Sequence, residues 1–289
     1  MRQTLISFDL KGDFGVFKKP DVNEGLQLTF NMLHKPALLG ILGAISGLKG
    51  YERQGVFPEY YQKFRDLRVG IEPLESRHDK GNFVKTVVKY TNTVGYANAD
   101  GNLIVTEQTL RRPGYRVYLL LDLEQEEQAR LYERIRAGEA EYLPYFGKNE
   151  CAAWWEPDSV REYAHETFVA QADFSVSSIF VREGSVQDQR VQKSRVSFSL
   201  QQVDNTPTFA LFERLPTHFF VGDSSENNQQ ELFSESDSYA SSRTKPLKFV
   251  QYDLAEFAFT NWTLRKDSEV SGLVRIRFED HEARVIQLF

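Results

Sequence analysis

The stretch GDFGVFKKPDVNEGLQLTFNMLHKPALLGILGAISGLKGY, residues 12–51, decides how this chain is read. Its first part places Gly12, Gly15, Pro20 and Gly25 among charged and aromatic residues, a composition that interrupts regular structure. Leu26–Phe30 then reads as extended, and Lys35 is biased away from helix by the proline that follows it. Pro36 suits the first turn of a helix that runs to about Leu48, with Gly50 as its stop. Gly40, Gly43 and Gly47 fall at i, i+3 and i+7 and share one face of that helix. Such a face has two readings. It packs closely on a sheet, or it lets a phosphate backbone approach, with the unpaired N–H groups of the first turn favouring an anion just after His34 and Lys35.

Working outward, Leu5–Leu10 (LISFDL) alternates apolar and polar residues and predicts a strand before the turn. Downstream, Phe83–Tyr90 (FVKTVVKY) is β-branched and half alternating, Asp100-Gly101 is a hairpin turn signal, and Leu103–Val105 begins the return. Tyr115–Leu121 (YRVYLLL) predicts the most buried strand, and Leu123–Ile135 a charged amphipathic helix ending near Gly138. Strand, helix, long hairpin and helix in that order predict an α+β fold with an RRM/ferredoxin-like N-terminal domain, though other α+β layouts share the order. The second half is a series of short strands, expected at His165–Phe174, Ser175–Val181, Arg195–Leu200, Thr208–Phe212, Phe249–Phe259 and Leu273–Phe278. A polar, serine-rich run over residues 222–245 reads as an exposed loop.

The composition, with 41% hydrophobic and 26% charged residues, is that of an ordinary globular protein. One cysteine, Cys151, rules out an intrachain disulfide and a Cys-based zinc cluster. The apolar run Pro36–Leu48 is too short for a membrane helix, which needs about 20 residues. No apolar leader precedes the first charges, and a cytoplasmic protein without membrane contact is expected. The net charge of −6 is unevenly spread: residues 1–120 carry 17 Lys+Arg against 12 Asp+Glu, the remainder 18 against 29. This asymmetry has two readings: a basic first part joined to an acidic second part that confines RNA to one surface, or chance fluctuation in charge along the chain.

Motifs of common enzyme classes are missing. There is no GxxxxGK[ST], HExxH, HxE…PCxxC or GxSxG, and the five histidines show no metal-ligand spacing. No cofactor or metal is therefore expected. The turn Lys11–Lys19 holds Phe14, Phe17, two permissive glycines and the pair Lys18-Lys19. It reads either as a place to stack a base and grip phosphates or as a plain glycine-rich connection with a solvated lysine pair.

Residues 12–51 resemble the N-terminal signature of CRISPR-associated protein family five, in which a first strand leads into G-x-F-x-x-F and then P-x-x-L-G-x-L-x-A-x-x-G-L. Gly12–Phe17 and Pro36–Leu48 supply the two halves in order. Thr106–Tyr115 (TEQTLRRPGY) is similar to the family's T-x-Q-x-x-L-x-x-P-x-Y stretch, and Tyr142–Trp155 (YLPYFGKNECAAWW) to its Y-P-x-x-L-G-x-x-E-x-x-A segment, with Phe146 for leucine. The likeness spans about the first 155 residues, and its wording is nearest the type I-B branch.

The resemblance implies the repeat-associated mysterious protein (RAMP) fold. Residues 1–155 would form an RRM-like domain with a hairpin thumb at about 94–112, and residues 156–289 a smaller β-rich region with the polar loop. It implies a non-catalytic RNA-binding subunit of a type I Cascade complex in antiviral defence, capping the 5′ handle of the crRNA. Partners would be that handle, the backbone and large subunits and, through the complex, target DNA. The contacts expected from charge and position are Lys11, Phe14, Phe17, Lys18, Lys19, His34, Lys35, Arg111 and Arg112. Type I-C members cleave repeat RNA without metal, using a tyrosine and a Lys-His pair. This chain has no Lys-His dipeptide, so an alternative role as a metal-independent endoribonuclease falls on His34 and Lys35 as base and cation.

Overall fold

A computed structural model describes residues 3–20, 25–52, 56–92, 103–183, 196–198, 207–223, 248–277 and 283–289. The described chain is mixed α+β with strands predominating. Strand β1 (Gln3–Gly12) forms where LISFDL predicts it, extended by two residues at each end. Its alternation sends Ile6, Phe8 and Leu10 into the main core, whereas Leu5 enters a second apolar cluster on the opposite face, as the two-residue period of a strand requires. After β2 (Phe14–Gly15) and β3 (Leu26–Gln27) comes α1 (Lys35–Ser46). The His34 side chain accepts from the Ala37 N–H at its start, and Gly47, at φ +76°, ends it by letting the Leu48 N–H reach the Gly43 carbonyl at 2.9 Å.

The glycine face of α1 receives a tyrosine of α2 (Glu59–Phe64): a Cβ on Gly43 would lie 2.4 Å from the Cβ of Tyr60. Close packing is thus what Gly43 serves, with a short helix rather than a sheet as its partner. Strand β4 (Arg68–Pro73) follows, then the arms β5 (Lys85–Asn92) and β6 (Leu103–Arg111), β7 (Gly114–Asp122), α3 (Glu126–Ala137), β8 (Ala153–Trp154) and β9 (Arg161–Thr167). The hairpin turn expected at Asp100-Gly101 lies outside the described residues.

One antiparallel sheet runs in the order β14-β13-β9-β1-β7-β4, where β13 is Leu273–Arg277 and β14 Ala283–Gln287, and β8 pairs with the end of β1. The main chain beyond β14 returns to the far edge: Val69 and Phe289 exchange hydrogen bonds of 3.1 and 2.9 Å. Strand β4 is therefore not an open edge, the state that otherwise invites pairing with other chains. Helices α1 and α3 contribute to the main core on one face of this sheet, and Leu5, Tyr118, Tyr163, Ile276 and Ile286 form the second cluster on the other.

A second sheet joins β10 (Phe180–Glu183), β12 (Lys248–Thr260) and β11 (Ala210–Asp223). The strand expected at Thr208–Phe212 is the start of a much longer one, whose register with β12 shifts between Pro216 and His218. That shift is how a strand accommodates a residue without an N–H. Residues 224–245 of the expected polar loop lie outside the described residues. A third sheet forms at the foot of the β5–β6 arms, where β6 also pairs with β2 and β3.

Candidate nucleic-acid interface

Three segments meet because glycines let them touch. Val16 donates its N–H to the Phe146 carbonyl at 3.0 Å, and Gly147, at φ +81°, sits so close that a Cβ would lie 1.8 Å from the Val16 oxygen. Gly12 makes room for the Phe146 ring, where a Cβ would lie 2.7 Å away. Phe146 thus wedges beneath the turn after β1, with its centroid 5.7 Å from Phe17 and 5.8 Å from Tyr115. On the other side, Tyr142 and Glu141 donate N–H bonds of 3.0 and 3.2 Å to the carbonyls of Ala44 and Ile45 in the last turn of α1. Residues 141–147 are strapped to both the turn and the helix.

These segments border a groove of about 750 Å³. Its floor is the α1 face carrying Pro36, Gly40 and Ala44; Val16 and Lys18 form one side, and Tyr90 of β5 with Glu107 of β6 another. Phe219 of β11 and Tyr252 of β12 close the back, and Tyr51, Tyr60, Tyr142 and Tyr145 complete the lining. The lining is aromatic far more than basic. Its buried carboxylate, Glu107, holds the Lys148 ammonium at 3.0 Å, and that ammonium also lies 4.7 Å above the Tyr90 ring. Burial drives the Tyr60 phenol well above its usual range, so it stays protonated and is a donor.

The residues expected to contact RNA separate into three groups. Lys18 is exposed, lines the groove and has no side-chain partner among the described residues. Lys11, Phe14, Arg111 and Arg112 lie at the foot of the arms and do not line it. Phe14 is opposite Arg111 across β2 and β6, Lys11 is opposite Gly114, and the Arg112 N–H bonds the Asp13 carbonyl at 2.7 Å. Both arginines are exposed.

The remaining four are buried or half-buried, and two of them, Phe17 and His34, lend part of their surface to the groove lining. Phe17 is 2% exposed and belongs to the core, so only Phe14 of the two turn aromatics faces solvent. Lys19 extends to Glu213 of β11 at 3.6 Å, and that carboxylate also accepts N–H bonds from Asn31 and Met32 at 2.8 and 3.0 Å. Lys35 is buried, with its ammonium donating to the Phe289 main-chain oxygen at 3.2 Å. His34 sits among Phe17, Phe30 and Tyr252, and this burial lowers its pKa to about 3. A neutral imidazole whose Nδ1 accepts from the Ala37 N–H at 3.3 Å is a helix cap and a very weak base.

The groove tyrosines and Lys148 were not singled out from the sequence. Tyr142 and Tyr145 had a usable signal, since they stand in the segment that resembles the family. Phe219 and Tyr252 had none, being strand residues of the second half. Among the described residues no three His, Cys, Asp or Glu side chains gather as a metal site, and no helix is long and apolar enough to cross a membrane.

No protein-family model matches this chain, and no curated protein matches it. Among solved structures it is similar to a chain of a CRISPR RNA-guided surveillance complex, at 14% identity and a TM-score of 0.42 over 92% of this chain and 91% of that one. It is similar also to a CRISPR protein from Archaeoglobus fulgidus, at 11% identity and a TM-score of 0.43 over 98% and 99%. A third likeness is to a Cas protein, at 14% identity and a TM-score of 0.35 over 68% and 84%.

Proposed function

We propose that this chain is a non-catalytic RNA-binding subunit of a type I CRISPR surveillance complex, which caps the 5′ handle of the guide RNA beside the backbone and large subunits. The observation that carries this reading is the convergence of the family-like segments. The turn 12–18, the helix α1 and residues 142–148 border one aromatic groove, and the TEQTLRRPGY stretch supplies Glu107 to it and two exposed arginines at the foot of the β5–β6 arms. Single-stranded RNA is held in this manner, by aromatic faces for bases and exposed cations for phosphates.

The fold is read in the same sense. Strands β1, β4, β7 and β9 stand in the order β9-β1-β7-β4, with α1 between β1 and β4 and α3 between β7 and β9. That is the split βαβ order of a ferredoxin-like domain, with β5 and β6 as the arms of the thumb. On this reading the RNA-facing domain is residues 1–155, and residues 156–289 lend it β9 and the back of the groove. Binding is preferred to cleavage because a general base works best with a pKa near the operating pH, and His34 titrates near 3.

The test is a gel shift of the purified protein with guide RNA that carries or lacks its 5′ repeat-derived segment, in EDTA. Handle-dependent binding without cutting is expected, weakened about tenfold or more by the triple substitution Lys18→Ala, Arg111→Ala, Arg112→Ala. Clean cutting lost in His34→Ala would establish the endoribonuclease role instead, and equal binding by the triple variant would refute the assignment of these cations.

A further inference from the structure

The groove rim carries an exposed apolar stretch whose placement needs a reason. Tyr142, Leu143 and Tyr145 are 55%, 68% and 41% exposed, and Tyr51 across the groove is 56% exposed. Exposed clusters of this kind mark contact surfaces. The rim backbone is nonetheless fixed: Tyr142 is bonded to the end of α1, the Ala153 N–H bonds the Pro144 carbonyl at 2.9 Å, and Phe146 and Gly147 are locked under the turn. Tyr142 and Tyr145 have no ring partner among the described residues. By contrast Tyr90 is covered by the Lys148 ammonium, and Tyr252 stacks on Phe219 at 5.2 Å. Two aromatic side chains are thus presented on a main chain that is already held in place, which leaves only the side chains to be ordered on binding.

We infer that Tyr142 and Tyr145 form a stacking platform for unpaired RNA bases, which enter the groove while their phosphates stay outside near Lys18; this rests on the RNA-binding reading above. Charge selects an RNA over an apolar peptide. Glu107 is already neutralised by Lys148, so among the described residues of the lining the exposed Lys18 ammonium faces no free carboxylate. The groove volume falls in the range of about 300–1,000 Å³ that suits compact ligands, which fits a nucleotide rather than a folded helix. Stacking tolerates any base, because every base has a π-face. The platform therefore supplies affinity without reading sequence.

Fluorescein-labelled single-stranded RNA octamers, U8 and A8, with and without central abasic sites, test this on the full chain by anisotropy. Wild type should bind both octamers and lose about tenfold when the central bases are removed. The double variant Tyr142→Ala, Tyr145→Ala should bind the intact octamers about tenfold more weakly and no longer distinguish them from the abasic ones. The double variant to Phe should behave as wild type, since the rings remain. Circular dichroism checks that the exposed substitutions leave the fold intact. If the alanine variant binds RNA as well as wild type and keeps the abasic penalty, the platform is refuted while RNA binding stands. If wild type binds neither octamer nor handle-bearing guide RNA, the RNA reading itself falls, and the platform with it.

Discussion

Lowering the pH from 7 to 4.5 should destabilise this protein through one residue, His34. Its folded pKa is near 3 because the ring is enclosed by Phe17, Phe30 and Tyr252, against 6.5 for an ordinary histidine. Above pH 6.5 both folded and unfolded forms are neutral, and the residue adds no pH dependence. Between 6.5 and about 3 the unfolded chain takes up a proton that the folded chain refuses, so stability falls as pH falls. Each pH unit in that window costs about 1.4 kcal/mol, which amounts to roughly 3 kcal/mol by pH 4.5. That is a large part of a typical stability of about 5–15 kcal/mol. The perturbation to make is His34→Asn, because asparagine keeps an oxygen to accept from the Ala37 N–H yet does not titrate. Lost ring packing should weaken the variant at pH 7, but its stability should fall by about 3 kcal/mol less than that of wild type between pH 7 and 4.5. Urea denaturation at both pH values measures this. Parallel losses in the two proteins would refute the buried, neutral state of His34, and with it the argument against a role as general base.

Three further outcomes are expected. Gly147→Ala should lower stability by several kcal/mol, since its Cβ would overlap the Val16 oxygen at φ +81°, whereas Gly25→Ala, at φ +71° with open space around it, should cost only about 1–2 kcal/mol; thermal melts of the pair separate steric overlap from backbone strain. Glu213→Ala should cost about 2–4 kcal/mol by stranding the Asn31 and Met32 N–H groups, while Glu166→Ala, which loses exposed pairs with Arg275 and Arg277, should cost under about 1 kcal/mol. Burial raises the Glu72 carboxyl above its usual range, against the opposing hydrogen bond from the Tyr118 hydroxyl at 2.6 Å. The folded form then holds its proton longer, so this residue's contribution declines as pH rises from about 4.5. Glu72→Gln should remove that decline, which chemical denaturation at pH 4 and 7 would detect as a flatter profile.

Local chemistry was legible wherever a pattern is carried by neighbours in the chain. The alternation of LISFDL, the apolar run YRVYLLL, Pro36 at the start of α1 and the charged repeat of α3 each produced the element they predict. Strand β4 was not foreseen, because RVGIEP carries Gly70 and Pro73 among charges, and it persists through pairing with β7 and the Val69–Phe289 bonds. The aromatic groove was half visible, in the segments that line its floor and rim.

Which way each side chain points was settled only by the assembled fold. In extended chain, successive residues face opposite sides. Lys18 therefore faces the groove and Lys19 the Glu213 carboxylate, although the two look identical as a pair in sequence. The same is true of His34 and Lys35, drawn inward by partners on β12 and at Phe289 that lie far along the chain. Residue type and order specify turns, caps and periodicity because those depend on near neighbours. Burial, pKa and the meeting of Tyr142 with Phe219 and Tyr252 around one groove depend on contacts between distant segments, and only packing creates them.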